Sequence, residues 1–271
     1  MMTGFGKQLK ISTMINEGQH MALLQVANEV LFEFDSTELH ARFSSEREIV
    51  DAILPYMGEP SPYQVRRCAV EVFKTLGAKS SNWIHSLIST FMSSVSIANA
   101  DIMSGKQVFI YASDGKTDPQ QAARLLDSVK TLDCHATALA CLFQSVPNAI
   151  NGVPVALVST AMNTVKSLIL GGQPLEIKTD EQKAQLALSK VNPLQSSRRE
   201  AGWIILQGFL YLGKDWIKSE LPTILKLFKS VFRKETCTVE HGKLKEPVYQ
   251  ETVLREFIIK AQAVKALKTL L

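Results

Sequence analysis

Two apolar helical patterns lie back to back in residues 199–232, separated only by a Gly-Lys-Asp break, and this stretch constrains the fold more than any other. In each pattern the apolar residues recur at steps of three and four, which is the spacing of one helix face. We expect Gly213 to end the first helix and Asp215 to cap the second, which begins at Trp216 and is bent or restarted at Pro222. A helix pair joined by so short a turn is the unit of an α-solenoid.

The same helical form recurs along the chain. The pattern of the first helix occurs in four segments, at residues 65–77, 134–146, 199–212 and 258–271. A partner helix follows each of the first three segments. The helix ends at Gly77, Pro147 and Gly213 lie about 66 to 70 residues apart, whereas a standard HEAT unit spans roughly 40 to 47. We therefore predict an all-α fold, an α-solenoid of antiparallel helix pairs with HEAT- or armadillo-like repeats, in which the extra length forms linkers inside the units.

The repeats predict one continuous domain. Residues 16–271 form the solenoid, and residues 1–15 form a loosely ordered N-terminus. Polar, glycine-rich or charged composition predicts three long linkers, at about residues 100–118, 171–197 and 234–247. The first contains a short strand-like run at 108–111, and the second a short helical run at 180–190. We expect all three linkers to emerge on one rim, where a solenoid tolerates insertions and often binds partners.

Composition narrows the class of protein. With 46% hydrophobic residues among 271, the chain can bury a sizeable core. A net charge of +4 with scattered lysines is too weak to indicate nucleic acid or an anionic bilayer as a partner. No apolar run approaches the roughly 20 residues of a membrane span, and the N-terminus lacks the apolar core of a signal peptide. The four isolated cysteines favour reduced thiols in a cytosolic protein.

The search for catalytic chemistry finds no motif. Phosphate-binding, dinucleotide-binding and nucleophile-elbow patterns do not occur, and the five histidines do not pair at helical spacing. Cys134 and His135 are the only adjacent pair of soft metal ligands, and no other ligand is spaced to complete a zinc site with them. We therefore predict a protein that is not an enzyme, with no catalytic residue, no cofactor and no metal.

Two arginine pairs stand at the starts of equivalent helices: Arg66 with Arg67, and Arg198 with Arg199. One interpretation is a ladder of arginines that binds an acidic peptide or phosphate along the groove of the solenoid, and these four residues are our candidate partner-binding site. The alternative is that they are solvated helix starts, or that they pair with a carboxylate of the neighbouring repeat.

The region 199–233 resembles a family of very long HEAT-repeat proteins, the clathrin-adaptor accessory proteins. These are HEAT-repeat-containing protein five in animals and the large adaptor-accessory protein in yeast. The residues that carry the resemblance are Ala201-Gly202-Trp203, Gly208, Leu210, Leu212-Gly213, Leu221-Pro222, Leu225 to Leu227 and Val231-Phe232-Arg233. The stretch CHATALACLFQSVPNAINGVP looks like the helix-turn segment that precedes this signature in the family. The resemblance extends weakly over residues 40–271.

The resemblance implies a non-enzymatic scaffold that acts with clathrin-adaptor subunits or their accessory proteins in vesicle traffic between the trans-Golgi network and endosomes. It also implies a cytoplasmic location, with at most peripheral association at Golgi or endosomal membranes. Because family members are far longer, we expect this chain to be a fragment or truncated form, with the remainder of a longer solenoid as a further partner. The alternative function is a HEAT-type nuclear transport receptor or phosphatase-type regulatory scaffold unrelated to clathrin.

Overall fold

The protein is all-helical wherever its structure is described. The computed structural model describes residues 16–43, 46–58, 61–79, 81–104, 119–146, 155–170, 193–232 and 246–271. These residues contain no strand, and they form the helices α1 Glu17–Glu33, α2 Ser36–Arg42, α3 Glu46–Ile53, α4 Tyr63–Lys79, α5 Ser81–Ser104, α6 Pro119–Ser145, α7 Val155–Leu170, α8 Pro193–Leu210, α9 Lys214–Ile217, α10 Leu221–Phe232 and α11 Glu246–Leu270. A 3₁₀ turn, Leu54–Tyr56, follows α3. The all-α part of the sequence prediction is thus confirmed.

Local chemistry explains where α1 begins and which face it buries. The Asn16 side chain accepts a hydrogen bond from the backbone of Gln19, whose own side chain accepts one from the Asn16 backbone, both at 3.0 Å. This reciprocal capping satisfies two of the backbone donors that a helix start leaves without partners. Leu24, Ala27 and Leu31 then follow at steps of three and four and are buried, so that α1 has one apolar face toward the core.

Several predicted boundaries need correction. The helical pattern was expected to begin at residue 134, but α6 is one continuous helix of 27 residues that begins at Pro119, because no glycine or proline interrupts the residues before Cys134. Gly77 does not end its helix, since α4 continues to Lys79. Asp215 does not cap α10; it lies inside the one-turn helix α9, and α10 begins at Leu221 with Pro222 in its first turn, where proline is tolerated.

Each predicted linker is shorter than expected at one end that adjoins a described helix. Helix α5 continues through residues 100–104, α8 already begins at Pro193, and α11 already begins at Glu246. The first position of α8 is a proline, as is the first position of α6, and a helix start leaves that position without an N–H partner in any case. The rest of the linkers, the runs at 108–111 and 180–190, and residues 1–15 lie outside the described residues.

Five helices form one row, in which α1 packs on α4, α4 on α6, α6 on α8, and α8 on α11. Contacts between the C-terminal parts of neighbours show that α1, α4, α6 and α8 are parallel. Thr75 of α4 donates a hydrogen bond of 2.6 Å to Asn28 of α1, and Ser145 of α6 donates one of 3.2 Å to the Lys74 carbonyl of α4. On the next interface, Phe143 of α6 contacts Phe209 of α8, with ring centroids 5.9 Å apart. The row therefore places the C-terminal ends of α1, α4, α6 and α8 along one rim.

The helices α5, α7 and α10 lie on the other side of the core, where α5 contacts α7 and α7 contacts α10. Each packs most extensively on the row helix that follows it in the chain: α5 on α6, α7 on α8, and α10 on α11. Phe91 of α5 meets His135 of α6, while Asp101 near the end of α5 meets Arg124 near the start of α6, so this pair is antiparallel. The helices joined by the long linkers therefore pack on each other more than those joined by tight turns.

Candidate protein-binding surface

Arg198, one of the predicted partner-binding residues, lies in the core where α5, α7 and α8 meet. Its side chain is 0% exposed. The guanidinium donates to Asn99 Oδ1 at 2.6 Å, to Gln195 Oε1 and to the Ser167 carbonyl at 3.3 Å, all of which are neutral acceptors. Burial lowers the pKa of Arg198 to about 10, since the charged form loses its hydration. Arg198 therefore connects three helices inside the protein.

Arg199 forms a buried ion pair with Glu256 of α11. Both guanidinium Nη atoms donate to the carboxylate: Nη1 to Oε1, and Nη2 to Oε2 at 3.3 Å. The two side chains are only 9% and 5% exposed. A planar guanidinium matches a carboxylate in this two-bond arrangement. The pair connects two neighbouring helices of the row, which is the structural alternative that the sequence left open for this arginine.

Arg66 and Arg67 lie near the start of α4. Arg66 is half-buried, and its Nε has no acceptor among the described residues. Arg67 is exposed. The predicted ladder of four accessible arginines is therefore wrong for Arg198 and Arg199, because burial removes both from any external partner. For Arg66 and Arg67 a role in partner binding stays a prediction.

Cys134 and His135 both take part in packing. Cys134 lies against Gly58, where an added Cβ would come within 2.6 Å of its sulfur. Burial and the neighbouring Asp133 carboxylate raise the pKa of Cys134 from 9.0 to about 11. The His135 ring meets Phe91 edge-on, at 5.2 Å between centroids, and burial lowers the pKa of His135 below 6.5. Among the described residues, no group of three or more His, Cys, Asp and Glu is placed to hold a metal ion.

A groove of about 620 Å³ runs between α5 and the first half of α6. Asp101 crosses it, accepting a hydrogen bond from Arg124 at 3.0 Å and one from Ser128 at 3.4 Å. These contacts hold the antiparallel helix pair together. Exposed Ile97 forms part of the wall. Asp101, Arg124 and Ser128 of this groove are thus engaged with each other across the helix pair.

A second groove, of about 430 Å³, lies on the rim formed by the C-terminal ends of the row helices. We call it the C-terminal groove, and its lining residues come from α1, α4, α6 and the turn after α8: Phe32, Lys74, Thr75, Ala78, Lys79, Gln144, Ser145 and Tyr211. Its base is fixed by the hydrogen bonds that Thr75 and Ser145 donate to the neighbouring helices. The groove exists only because four helices of the row lie side by side.

The walls of the C-terminal groove combine exposed aromatic rings with lysines. Phe32 is 62% exposed and Tyr211 is 47% exposed. Lys79 donates a hydrogen bond to the Phe32 carbonyl, and its ammonium lies 4.9 Å from the centroid of the Phe32 ring. Lys74 pairs at 3.2 Å with Glu71, one turn earlier on the same helix. Sequence reasoning missed this groove, although Phe32 and Tyr211 carry a signal as large aromatics outside the buried stripe of their helices.

Comparison with protein-family models, with curated proteins and with solved structures finds no match to this chain. The likeness to the clathrin-adaptor accessory proteins therefore rests on the residues quoted for it. Within the described parts of the chain, no helix is both long enough and apolar enough to cross a membrane.

Proposed function

We propose that the chain is a non-enzymatic, HEAT-like helical scaffold that binds protein partners in clathrin-adaptor-dependent vesicle traffic between the trans-Golgi network and endosomes. The observation that supports binding most directly is the C-terminal groove, whose lining comes from four helices of one row. Surfaces made jointly by stacked helices are the binding surfaces typical of solenoids. The partners on this proposal are clathrin-adaptor subunits or their accessory proteins.

The buried polar groups support a scaffold because they connect helices. Arg198 reaches acceptors on α5, α7 and α8, and Arg199 joins α8 to α11 through Glu256. Removing such a group leaves its partners buried without hydrogen bonds, so these contacts favour one arrangement of the helices. A stack held in one arrangement keeps the walls of a shared groove in place.

The trafficking part of the proposal rests on the resemblance of residues 199–233. Trp203, which belongs to that signature, is fully buried and packs on Phe228 of α10 at 5.1 Å between ring centroids. Trp203 thus serves the contact between α8 and α10, which supports a repeat-type role for this signature residue. A cytoplasmic location, with peripheral association at Golgi or endosomal membranes, belongs to the same proposal.

The test is an affinity purification of the tagged full chain from cytosol, with mass spectrometry of what is recovered. Two charge-reversal variants accompany the wild type. Arg67→Glu alters the exposed arginine near the start of α4, and Lys229→Glu makes a matched change at an exposed position on α10. Arg199→Glu is unsuitable, because it places a second carboxylate beside buried Glu256.

Recovery of clathrin-adaptor subunits by the wild type and by Lys229→Glu is the expected result. Loss of those subunits in Arg67→Glu would assign Arg67 to the interface, whereas retention would leave the C-terminal groove as the candidate surface. Recovery of nuclear-transport cargo or phosphatase subunits in place of adaptors would overturn the trafficking assignment.

A further inference from the structure

We propose that the C-terminal groove binds an acidic segment of a protein partner, and that the segment inserts an aromatic side chain between Phe32 and Tyr211. The inference rests on the proposed function, since it names the chemistry of the segment that the scaffold would bind. It follows from the charge and the exposed rings of the lining residues, all of which lie in described helices or the turn after α8.

The charge of the groove is the first observation. The charged side chains among the described lining residues are Lys74 and Lys79 of α4, and no carboxylate belongs to this described lining. An ammonium group has three N–H donors, and the bond from Lys79 to the Phe32 carbonyl uses one of them. The pair between Lys74 and Glu71 is exposed on both sides, at 38% and 54%. Such pairs are weak and exchange readily, so a partner carboxylate can take the place of Glu71.

The helix ends at this rim contribute an opposing effect. The carbonyl end of a helix carries partial negative charge, which disfavours an acidic ligand within its last turn. Two carbonyls at this rim already accept hydrogen bonds, Phe32 from Lys79 and Lys74 from Ser145. These hydrogen bonds place N–H and O–H donors on the carbonyls, which reduces the negative charge that an acidic ligand would meet there.

The exposed rings are the second observation. Phe32 and Tyr211 are large aromatic side chains on the same groove, and each leaves about half or more of its surface to solvent. Lys79 lies over the Phe32 ring, which restricts where that ring can move. A partner aromatic placed between two rings gains edge-to-face or offset contacts in addition to burial. A volume of about 430 Å³ accommodates such a side chain with its adjoining backbone.

The test is fluorescence anisotropy with the purified full chain and a labelled acidic peptide that carries glutamates on both sides of a central phenylalanine. One control peptide replaces each glutamate by glutamine, and a second replaces the phenylalanine by serine. The groove variant is Lys79→Glu with Tyr211→Ser. The matched control is Lys229→Glu with Phe257→Ser, since Phe257 is an aromatic of α11 that is 71% exposed and does not line the groove.

We expect the wild type and the matched control to bind the acidic peptide equally. The groove variant should bind at least about tenfold more weakly, both control peptides should bind more weakly than the acidic peptide, and added salt should weaken binding. Equal binding by the groove variant, or equal binding of the glutamine peptide, would overturn the inference. If adaptors are recovered from cytosol but the acidic peptide does not bind the chain, the scaffold function stands and this inference falls. If the peptide binds at the groove but no adaptor is recovered, the groove stands and the trafficking assignment falls.

Discussion

Gly208 of α8 lies directly against the backbone of Ala140 of α6. A Cβ at position 208 would be 2.4 Å from the Ala140 Cα and 2.5 Å from its carbonyl oxygen. The neighbour is backbone, so no side-chain rotation relieves the contact. Glycine at this position therefore sets how closely two helices of the row approach, and this spacing also positions the α6 and α8 walls of the C-terminal groove.

Gly208→Ala should destabilise the protein, because the added methyl group forces α8 away from α6. Overpacking of this kind costs about 1–3 kcal/mol or more of the free energy of unfolding. The measurement is chemical denaturation followed by circular dichroism. Gly18→Ala is the matched control, since its Cβ would meet only the Asn16 side chain, at an ordinary 3.4 Å. A Gly208→Ala protein as stable as Gly18→Ala would show that α6 and α8 are not in backbone contact.

The buried pair of Arg199 and Glu256 predicts strong coupling between the two positions. Glu256→Leu or Arg199→Met alone leaves the other charge buried without a counter-charge, which should lower the free energy of unfolding by about 3–5 kcal/mol. The double variant Arg199→Met with Glu256→Leu removes both charges and should be more stable than either single variant. A double-mutant cycle on urea unfolding measures the coupling. Additive losses in the two single variants would contradict the pairing.

His135 should make the protein less stable in acid. Burial holds its folded-state pKa below 6.5, the ordinary value that applies in the unfolded chain. The unfolded state therefore binds a proton more readily than the folded state. The contribution of neutral His135 to the free energy of unfolding is complete above pH 6.5, and it is lost as pH falls toward the folded-state pKa. His135→Phe keeps a ring against Phe91 but cannot be protonated, so its free energy of unfolding should fall less between neutral and acidic pH. Parallel pH profiles for the variant and the wild type would exclude His135 as the source.

Ionisation of Cys134 and Cys141 should lower the free energy of unfolding at alkaline pH. Burial raises the pKa of Cys134 to about 11 and that of Cys141 to about 12, from an ordinary value of 9.0. The contribution of the two protonated thiols to the free energy of unfolding is complete below pH 9. It is lost as pH rises through the folded-state pKa values, because the thiols of the unfolded chain ionise first. Cys141→Ala should lose less stability than the wild type over this range.

Alkylation at neutral pH, read by peptide mass spectrometry, should be slow at both cysteines in the native protein and fast in denaturant.

Helix type and approximate position followed from the sequence because the apolar periodicity of these segments is strong. The boundaries were less well predicted. Asp133 lies between two apolar patterns, yet it continues α6, since tertiary contacts on both halves of the helix outweigh the weak helix propensity of aspartate. Gly77 looks like a helix end, but it lies inside α4, where the missing side chain permits the close approach of Ser145.

The candidate site could be predicted only in part. Arginines at equivalent helix starts were visible in the sequence, but their burial was not, because Arg199 meets a carboxylate 57 residues away. The C-terminal groove draws Phe32 and Tyr211 from positions 179 residues apart in the sequence. No local pattern relates two such residues; only the parallel packing of the row brings them to one rim.

The sequence by itself determined that this chain is helical and which face of each helix is apolar, because those properties depend on residues three and four apart. Tertiary structure alone decided which helices become neighbours, because that choice depends on contacts such as Gly208 against Ala140 and Arg199 with Glu256. It also decided that Arg198 and Arg199 are internal connections and that the exposed lysines and aromatic rings share a groove. Local periodicity fixes the face of a helix, whereas the partner of that face is fixed by shape and charge across the fold.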